Sequence, residues 1–323
     1  MIKIAVDVMG FENDVSEAIL ACEEFLSNHE NLSIILVGDK SKINFTNKNL
    51  QVIDTKNFFT QNDTILSIRE KKETSMQILF DLLNENKVDG ILSAGNSAIF
   101  TFLAYSIIGT IENINKIAFM PCIPTTDGKF FNMLDVGASL DLQPIDLVKF
   151  AVMANIFYEQ YSSNPRIGIL NIGVETHKGY SLQHEANELL LKTDLNYLGF
   201  VEPKNLLEHP IDIVVTDGFS GNLVLKTLEG TAKTIFNVLK KQYKKPLNFL
   251  ALLFSLKIFK NIKNQFDYKN NAGALVLGVK KLCVKTHGSA DKKQFLSSLK
   301  LLYSCIENKI IEKIINKVSK YGK

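Results

Sequence analysis

The stretch RIGILNIGVETHKG, residues 166–179, decides the fold. In its first half Ile167, Ile169, Leu170 and Ile172 make a short, near-continuous apolar run. Such a run fits a strand covered on both faces, the usual situation in parallel sheets. Its second half is a turn of glycine and polar residues, and helical spacing begins at Gly179. Outward from this unit the same order recurs. Strands are expected over residues 2–8, 32–37, 88–93, 117–121, 130–136, 166–172, 211–216 and 282–286. Helices are expected over 14–27, 74–86, 96–108, 144–161, 179–191, 222–241 and 291–317, with Pro144 well placed as an early helical residue. Alternation of this kind means parallel strands joined by crossover helices: a layered α/β fold, its sheet largely parallel with helices on both faces. With no tandem repeat and no linker, residues 1–323 read as a single α/β domain of two interlocked lobes.

Composition narrows the classes. The chain of 323 residues is 46% hydrophobic and 22% charged, too apolar for a disordered chain. A net charge of +3 is too small for a general nucleic-acid binder. Cys22, Cys122, Cys283 and Cys305 lack CxxC spacing, so they read as core thiols in a reducing compartment. Residues 2–8 open on a strand-like run instead of the basic and apolar regions of a signal peptide. The apolar run 247–259 is interrupted by Lys257, short of the ~20 residues a spanning helix needs. The expectation is a cytoplasmic chain that does not cross a bilayer.

The turns after the strands carry the chemistry. They read DVMG (7–10), VGD (37–39), SAGN (93–96), DVGAS (135–139), NIGVETHKG (171–179), DGFSGN (217–222) and HGS (287–289). Open α/β sheets bind ligands outside the carboxyl ends of their strands. Glycine lets the backbone approach a ligand, and the following helix start offers free N–H groups. Together these turns point to an anion-binding cleft with Gly10, Ser93, Gly95, Asn96, Gly137, Gly173 and Gly221 as candidate contacts. The sequence has no GxGxxG after the first strand, no GxxxxGK[ST], no HExxH and no GxSxG, which removes the main support for dinucleotide, P-loop, zincin and nucleophile-elbow chemistry.

Taken in order, DVMG, SAGN, LDVGA, GILNIG…KG, DGFSGN…LKTLEG and GALVLGV…KTHGSADKKQF resemble the bacterial phosphate acyltransferase family (acyl-ACP:phosphate acyltransferase) over residues 2–306. The resemblance implies a cytoplasmic, dimeric enzyme related in fold to phosphotransacetylases and isopropylmalate-dehydrogenase-like proteins. It implies transfer of a long-chain acyl group from the thioester of acyl carrier protein to inorganic phosphate, giving acyl phosphate for phospholipid synthesis. Two rivals stand beside this reading: a short-chain phosphate acetyl- or butyryltransferase using a coenzyme A thioester, and a non-catalytic membrane-associated scaffold of the same fold. The chain departs from the family pattern at Phe11, Asn115-Lys116, Ser139 and Phe200.

Phosphate is itself an oxyanion nucleophile, so the transfer needs binding, alignment, oxyanion stabilisation and departure of the thiolate, with no covalent enzyme intermediate. Lys178 is the expected cation for phosphate or oxyanion, against a solvated lysine at a helix start. Asn222 is the expected amide donor, against a helix N-cap. Asp217 orients Lys178 or phosphate, or closes a turn, and His287 is a general acid for the thiolate or a structural hydrogen-bonder. Asp7 and Asp135 read as loop braces, and His29, His184 and His209 as surface residues. No metal site is expected, Glu175 and His177 lacking convergent ligands, and no cofactor.

Residues 246–263 combine an almost wholly apolar run with Lys257, Lys260 and Lys263 on one helical face. This reads as a helical tip that rests on anionic lipid, or else as a core or dimer-interface helix. Lys240, Lys241, Lys244 and Lys245 form the densest basic run, a candidate docking face for the acidic carrier protein or a solvated face.

Overall fold

The structure, a computed structural model, describes residues 1–243 and 249–318. Eleven strands are ordered along the chain as β1 (Ile2–Asp7), β2 (Leu32–Gly38), β3 (Leu50–Asp54), β4 (Gly90–Ser93), β5 (Ala118–Pro124), β6 (Phe130–Leu134), β7 (Ile167–Leu170), β8 (Tyr197–Val201), β9 (Ile213–Val215), β10 (Ala274–Leu277) and β11 (Leu282–Lys285). The helices are α1 (Ser16–Ser27), α2 (Ser67–Glu70), α3 (Ser75–Asn84), α4 (Ser97–Leu103), α5 (Pro144–Tyr158), α6 (Ser181–Leu190), α7 (Gly218–Tyr243), α8 (Phe249–Gln265), α9 (Lys292–Glu307) and α10 (Ile310–Val318).

All strands join one sheet in the order β3-β2-β1-β4-β11-β10-β5-β6-β9-β7-β8. From β3 to β11 every pair is parallel, and so is every pair from β6 to β8. Between them β10 is antiparallel to both β11 and β5, and β5 is antiparallel to β6. The two parallel stretches therefore run in opposite senses, and β10 and β5 form the seam. The expected α/β architecture is present. The seam strand β10 and the strands β3 and β8 were not anticipated: each is short, and β3 and β8 carry several exposed or half-buried residues.

Strand burial follows the apolar runs. Ile167 to Leu170 are buried throughout, as are Ile213 to Val215 and Leu282 to Lys285. Helix α5 is buried on all sides, with 12 of its 15 residues inaccessible, because it packs at once on α6, α10 and β9. Local signals set several helix starts: capping boxes at Thr74–Gln77 and Asp291–Gln294 satisfy the first N–H groups of α3 and α9. The helix expected over 291–317 is two helices, α9 and α10, broken where Lys309 takes φ +52°.

Helix α7 departs most from expectation. It begins at Gly218, four residues early, and only Gly218 and Gly221 of its 26 residues are buried. At ~1.5 Å per residue it is about 39 Å long, and only its first three turns, through Val224, Leu225, Leu228 and Glu229, pack on the core or the cleft. Phe259 of α8 meets Phe236 and Tyr243 edge-on, with ring centroids 5.9 and 5.7 Å apart, so the two helices form a hairpin. Residues 246–248 of the expected tip, Lys244 and Lys245, and the side chains of 249–254 lie outside the described residues. Among the described residues no helix is long and apolar enough to cross a membrane.

One surface expectation is corrected. His209 is buried, its Nδ1 3.0 Å from Asp127 Oδ2 and its Nε2 3.0 Å from Asp212 Oδ1. Asp212 in turn accepts two side-chain hydrogen bonds from Arg166. The sequence separation of 82 residues between His209 and Asp127 hides this cluster from any local reading.

Candidate functional site

A cleft of about 390 Å³ opens over the seam. Phe119, Pro121 and Cys122 of β5 and Ala274 of β10 line its floor. The end of β11 with Thr286, His287 and Gly288 lines one side, joined by Glu12, Gln61 and Ser97. Val136, Gly137 and the first turns of α7, with Asn222, Leu225, Lys226 and Glu229, line the other. Each parallel half of the sheet thus contributes its strand-end loops to one cleft.

The α7 side is built on Asp135. Its buried carboxylate accepts the backbone N–H groups of Phe119, Gly137, Ala138 and Ser139 at 2.6–3.1 Å, which wraps the 135–139 loop around it. Burial pushes this carboxyl up to about 6, although the N–H groups favour the anion. The helix start lies directly on that loop. A methyl group at Gly221 would sit 1.9 Å from the Asp135 carbonyl oxygen, and one at Gly218 would sit 2.4 Å from that of Ser139. Only glycine permits the approach. Asp217 accepts the Ser220 N–H at 2.8 Å and so closes the turn into the helix. Asn222 is the fifth residue of α7, which removes the N-cap alternative. Its amide lies against Gly137, and among the described residues it has no hydrogen-bond partner.

The β11 side carries the charge. Lys285 is 6% exposed, and its ammonium donates to the Thr286 carbonyl. Burial pulls its pKa down to about 7, opposed by the charge of Asp7. Asp7 is itself pushed up to about 6 by burial, and accepts from Met9 N at 3.0 Å and Ser93 Oγ at 2.8 Å. The Thr286 hydroxyl is buried without a partner. At His287, Nδ1 accepts the Ser289 N–H at 3.2 Å and lies 2.8 Å from the Ser289 hydroxyl. Although the residue is exposed, partial desolvation and then the charge of Lys285 hold its imidazolium below the usual range. The ring is therefore neutral at pH 7, with its proton on Nε2.

The structure brings together Gly137, Asn222 and His287 of the expected set. The remaining members have occupied polar groups nearby. The Ser93 hydroxyl bonds Asp7 and accepts the Gly95 N–H at 3.0 Å. Asn96 donates to the carbonyls of Thr60, Gln61 and Asp63 and caps α4 through Ile99 N. Gly10 accepts from Gln61 Nε2 at 2.9 Å. Lys178 is not among the residues lining the cleft. It sits on the 171–179 loop, 43% exposed and 2.8 Å from Glu175, and Asn171 ties that loop by donating to the carbonyls of Gly173 and Lys178. Because β7 neighbours β9 in parallel, this loop lies at the same sheet edge as the Asp217–Asn222 turn.

Sequence reasoning missed Lys285, Thr286, Lys226 and Glu229. A lysine closing a run as apolar as LCV was the available signal, since lysine is rarely fully buried without a reason. Three positions that depart from the family pattern have structural partners: Phe11 meets Phe295 edge-on at 5.3 Å, Phe200 meets His184 at 5.9 Å, and the Ser139 hydroxyl donates to the Ile117 carbonyl. Among the described residues no cluster of three or more His, Cys, Asp or Glu could hold a metal.

The family model described as "Fatty acid synthesis protein" matches residues 2–313. A phosphate acyltransferase of Ureaplasma parvum serovar 3 is 50% identical over 325 residues, covering 99% of this chain and 98% of its own. Another from Mycoplasma genitalium is 44% identical, covering 99% and 98%. A phosphotransacetylase from Streptococcus pyogenes shares the fold at 17% identity and a TM-score of 0.59, covering 96% of this chain and 94% of that one. By family model and near full-length identity, the chain belongs to the phosphate acyltransferase family, a family of transferase enzymes.

Proposed function

We propose that the chain transfers a long-chain acyl group from the thioester of acyl carrier protein to inorganic phosphate, releasing acyl phosphate for phospholipid synthesis. The observation that carries this reading is one cleft with two kinds of wall: polar donors at Asn222, Lys285 and His287, and an apolar strip of Phe119, Pro121, Val136 and Leu225. An oxyanion nucleophile suits the first and an acyl chain the second. In this reading the Asn222 amide positions phosphate. His287 donates its Nε2–H to the developing oxyanion, since giving that proton up would leave an imidazolate. Lys178, on the neighbouring loop, meets the incoming phosphate at the rim, while Asp217 and the glycines at 10, 95, 137, 173 and 221 set the loops.

The assembly part of the reading is a homodimer that touches membrane lipid through the α7–α8 hairpin. It is supported by exposed Phe219, Leu223, Ile235 and Val238 on α7 and by Ile258 and Ile262 on α8. The decisive assay incubates the chain with phosphate and palmitoyl-ACP, palmitoyl-CoA or acetyl-CoA and traps acyl phosphate with hydroxylamine. Preference for palmitoyl-ACP supports the proposal. Preference for acetyl-CoA favours the short-chain enzyme, and no product with any donor favours the scaffold. Flotation with anionic liposomes, before and after Leu252, Leu253 and Phe254 are made polar, tests the membrane contact.

A further inference from the structure

We infer that Lys285, at the carboxyl end of β11, gives the proton to the sulfur that leaves the acyl thioester. The inference rests on the proposed acyl transfer and adds the residue that completes it. Four observations lead to it. Lys285 lines the same cleft as His287 and Asn222, the two groups that the proposed function places at the reacting centre. Of its three N–H donors, only one has a partner among the described residues, the Thr286 carbonyl, and no carboxylate lies within ion-pair distance. The adjoining Thr286 hydroxyl is buried with no partner among the described residues, so hydrogen-bonding capacity is left open on both neighbours. Finally, the residue is 6% exposed, and burial brings its pKa to about 7, where an acid is both protonated and ready to give its proton away.

The groups around it set this balance. Asp7 acts on it directly from β1, and the charge of Lys285 itself acts on His287 at the next strand-end turn, while Glu12 of the loop after β1 and Lys226 and Glu229 of α7 line the same cleft. Asp7 favours the ammonium; desolvation opposes it, and desolvation is the larger effect. His287, neutral and bonded through Nδ1 to Ser289, keeps its proton for the oxyanion, so the two residues divide the work.

The step balances. A phosphate oxygen of HPO₄²⁻ attacks the carbonyl carbon and a C–O bond forms. The tetrahedral intermediate collapses, the C–S bond breaks, and its electron pair goes to sulfur. The Lys285 ammonium protonates that sulfur, giving free thiol and a neutral amine. The proton then lost by the acyl phosphate monoanion restores the ammonium. Nothing is oxidised or reduced.

Two donors with one acyl group separate this from a fixed cation: palmitoyl-CoA, whose alkyl thiolate needs a proton, and the palmitoyl thioester of 4-nitrothiophenol, whose thiolate leaves unaided. Wild type, Lys285→Met and Lys285→Arg are compared, the arginine keeping charge without a transferable proton. Both variants are expected to lose about 10²- to 10⁴-fold in kcat on the alkyl donor and less than about tenfold on the aryl donor. If the variants do not fold, the wild type alone decides: the ratio of its kcat on the alkyl donor to that on the aryl donor should fall as pH rises through about 7, the ionisation of phosphate being common to both. Near-wild-type turnover by Lys285→Arg, an equal loss on both donors with a raised phosphate KM, or identical pH profiles for the two donors would each overturn the assignment. Wild-type inactivity with every donor would overturn the proposed function itself, a distinct result.

Discussion

Two lysines follow strands of the same sheet and meet opposite fates. Lys285 ends β11 and is sealed into the cleft, whereas Lys178 rides the loop after β7, 43% exposed and paired with Glu175. An exposed ammonium in water is held only by a weak, screened ion pair. A buried one has lost its hydration, so its charge state responds to every neighbour. What separates them is position relative to the sheet. Both strands are paired on two sides, but Lys285 is the last residue of β11 itself, while Lys178 lies well past the end of β7 at Leu170, on a loop that closes on itself through Asn171.

Beyond the Lys285 series, the strongest test of the buried side is Asn222→Ala. Loss of an amide that donates to a reacting anion should lower kcat/KM by about 10²- to 10³-fold. Because the Asn222 side chain has no hydrogen-bond partner among the described residues, the Tm measured by calorimetry should not change. A variant that retains full activity would leave the α7 wall without a role. Next in size is Gly221→Ala, which drives a methyl group to 1.9 Å from the Asp135 carbonyl. Displacing α7 from that loop should cost about 1–3 kcal/mol in urea denaturation, with kcat falling as Asn222 moves. An unchanged midpoint would show that the contact is not tight.

The exposed side should respond more weakly. Lys178→Ala is expected to raise the phosphate KM about tenfold while kcat stays within roughly threefold, the signature of a rim contact made equally in ground and transition states. A kcat loss as large as that of Asn222→Ala would move Lys178 into the reacting centre and erase the contrast between the lysines. The smallest effect belongs to Glu175→Gln, which frees Lys178 from its partner: the Tm should not shift measurably, and the phosphate KM should fall slightly.

Much of this was open to reading along the chain. The apolar runs located eight of the eleven strands, because a strand buried on both faces has few other ways to be written. The glycine turns located both walls of the cleft: DGFSGN and DVGAS proved to be one packed unit, with Gly218 and Gly221 lying against the carbonyls of Ser139 and Asp135. What local reading could not do was separate contact from brace. Ser93, Asn96 and Asp217 have the residue types of ligand groups, yet their polar atoms are engaged by Asp7, by the 60–63 carbonyls and by Ser220 N. His209 was misread for a related reason: one carboxylate partner, Asp212, is three residues on, but the other, Asp127, comes from the distant β5–β6 turn.

Sequence by itself determined the α/β class and the turns that could hold an anion, since these rest on hydrophobic period and on glycine's steric freedom, both local properties, and the order of those turns carried the family resemblance. Tertiary structure decided which turns share a cleft. Two parallel halves of opposite sense meet at β10 and β5, and only that seam sets the end of β11 against the first turns of α7. It also decided which lysine is chemically unusual, because a pKa depends on desolvation and on charges brought from distant segments, and neither is written in the residues beside it.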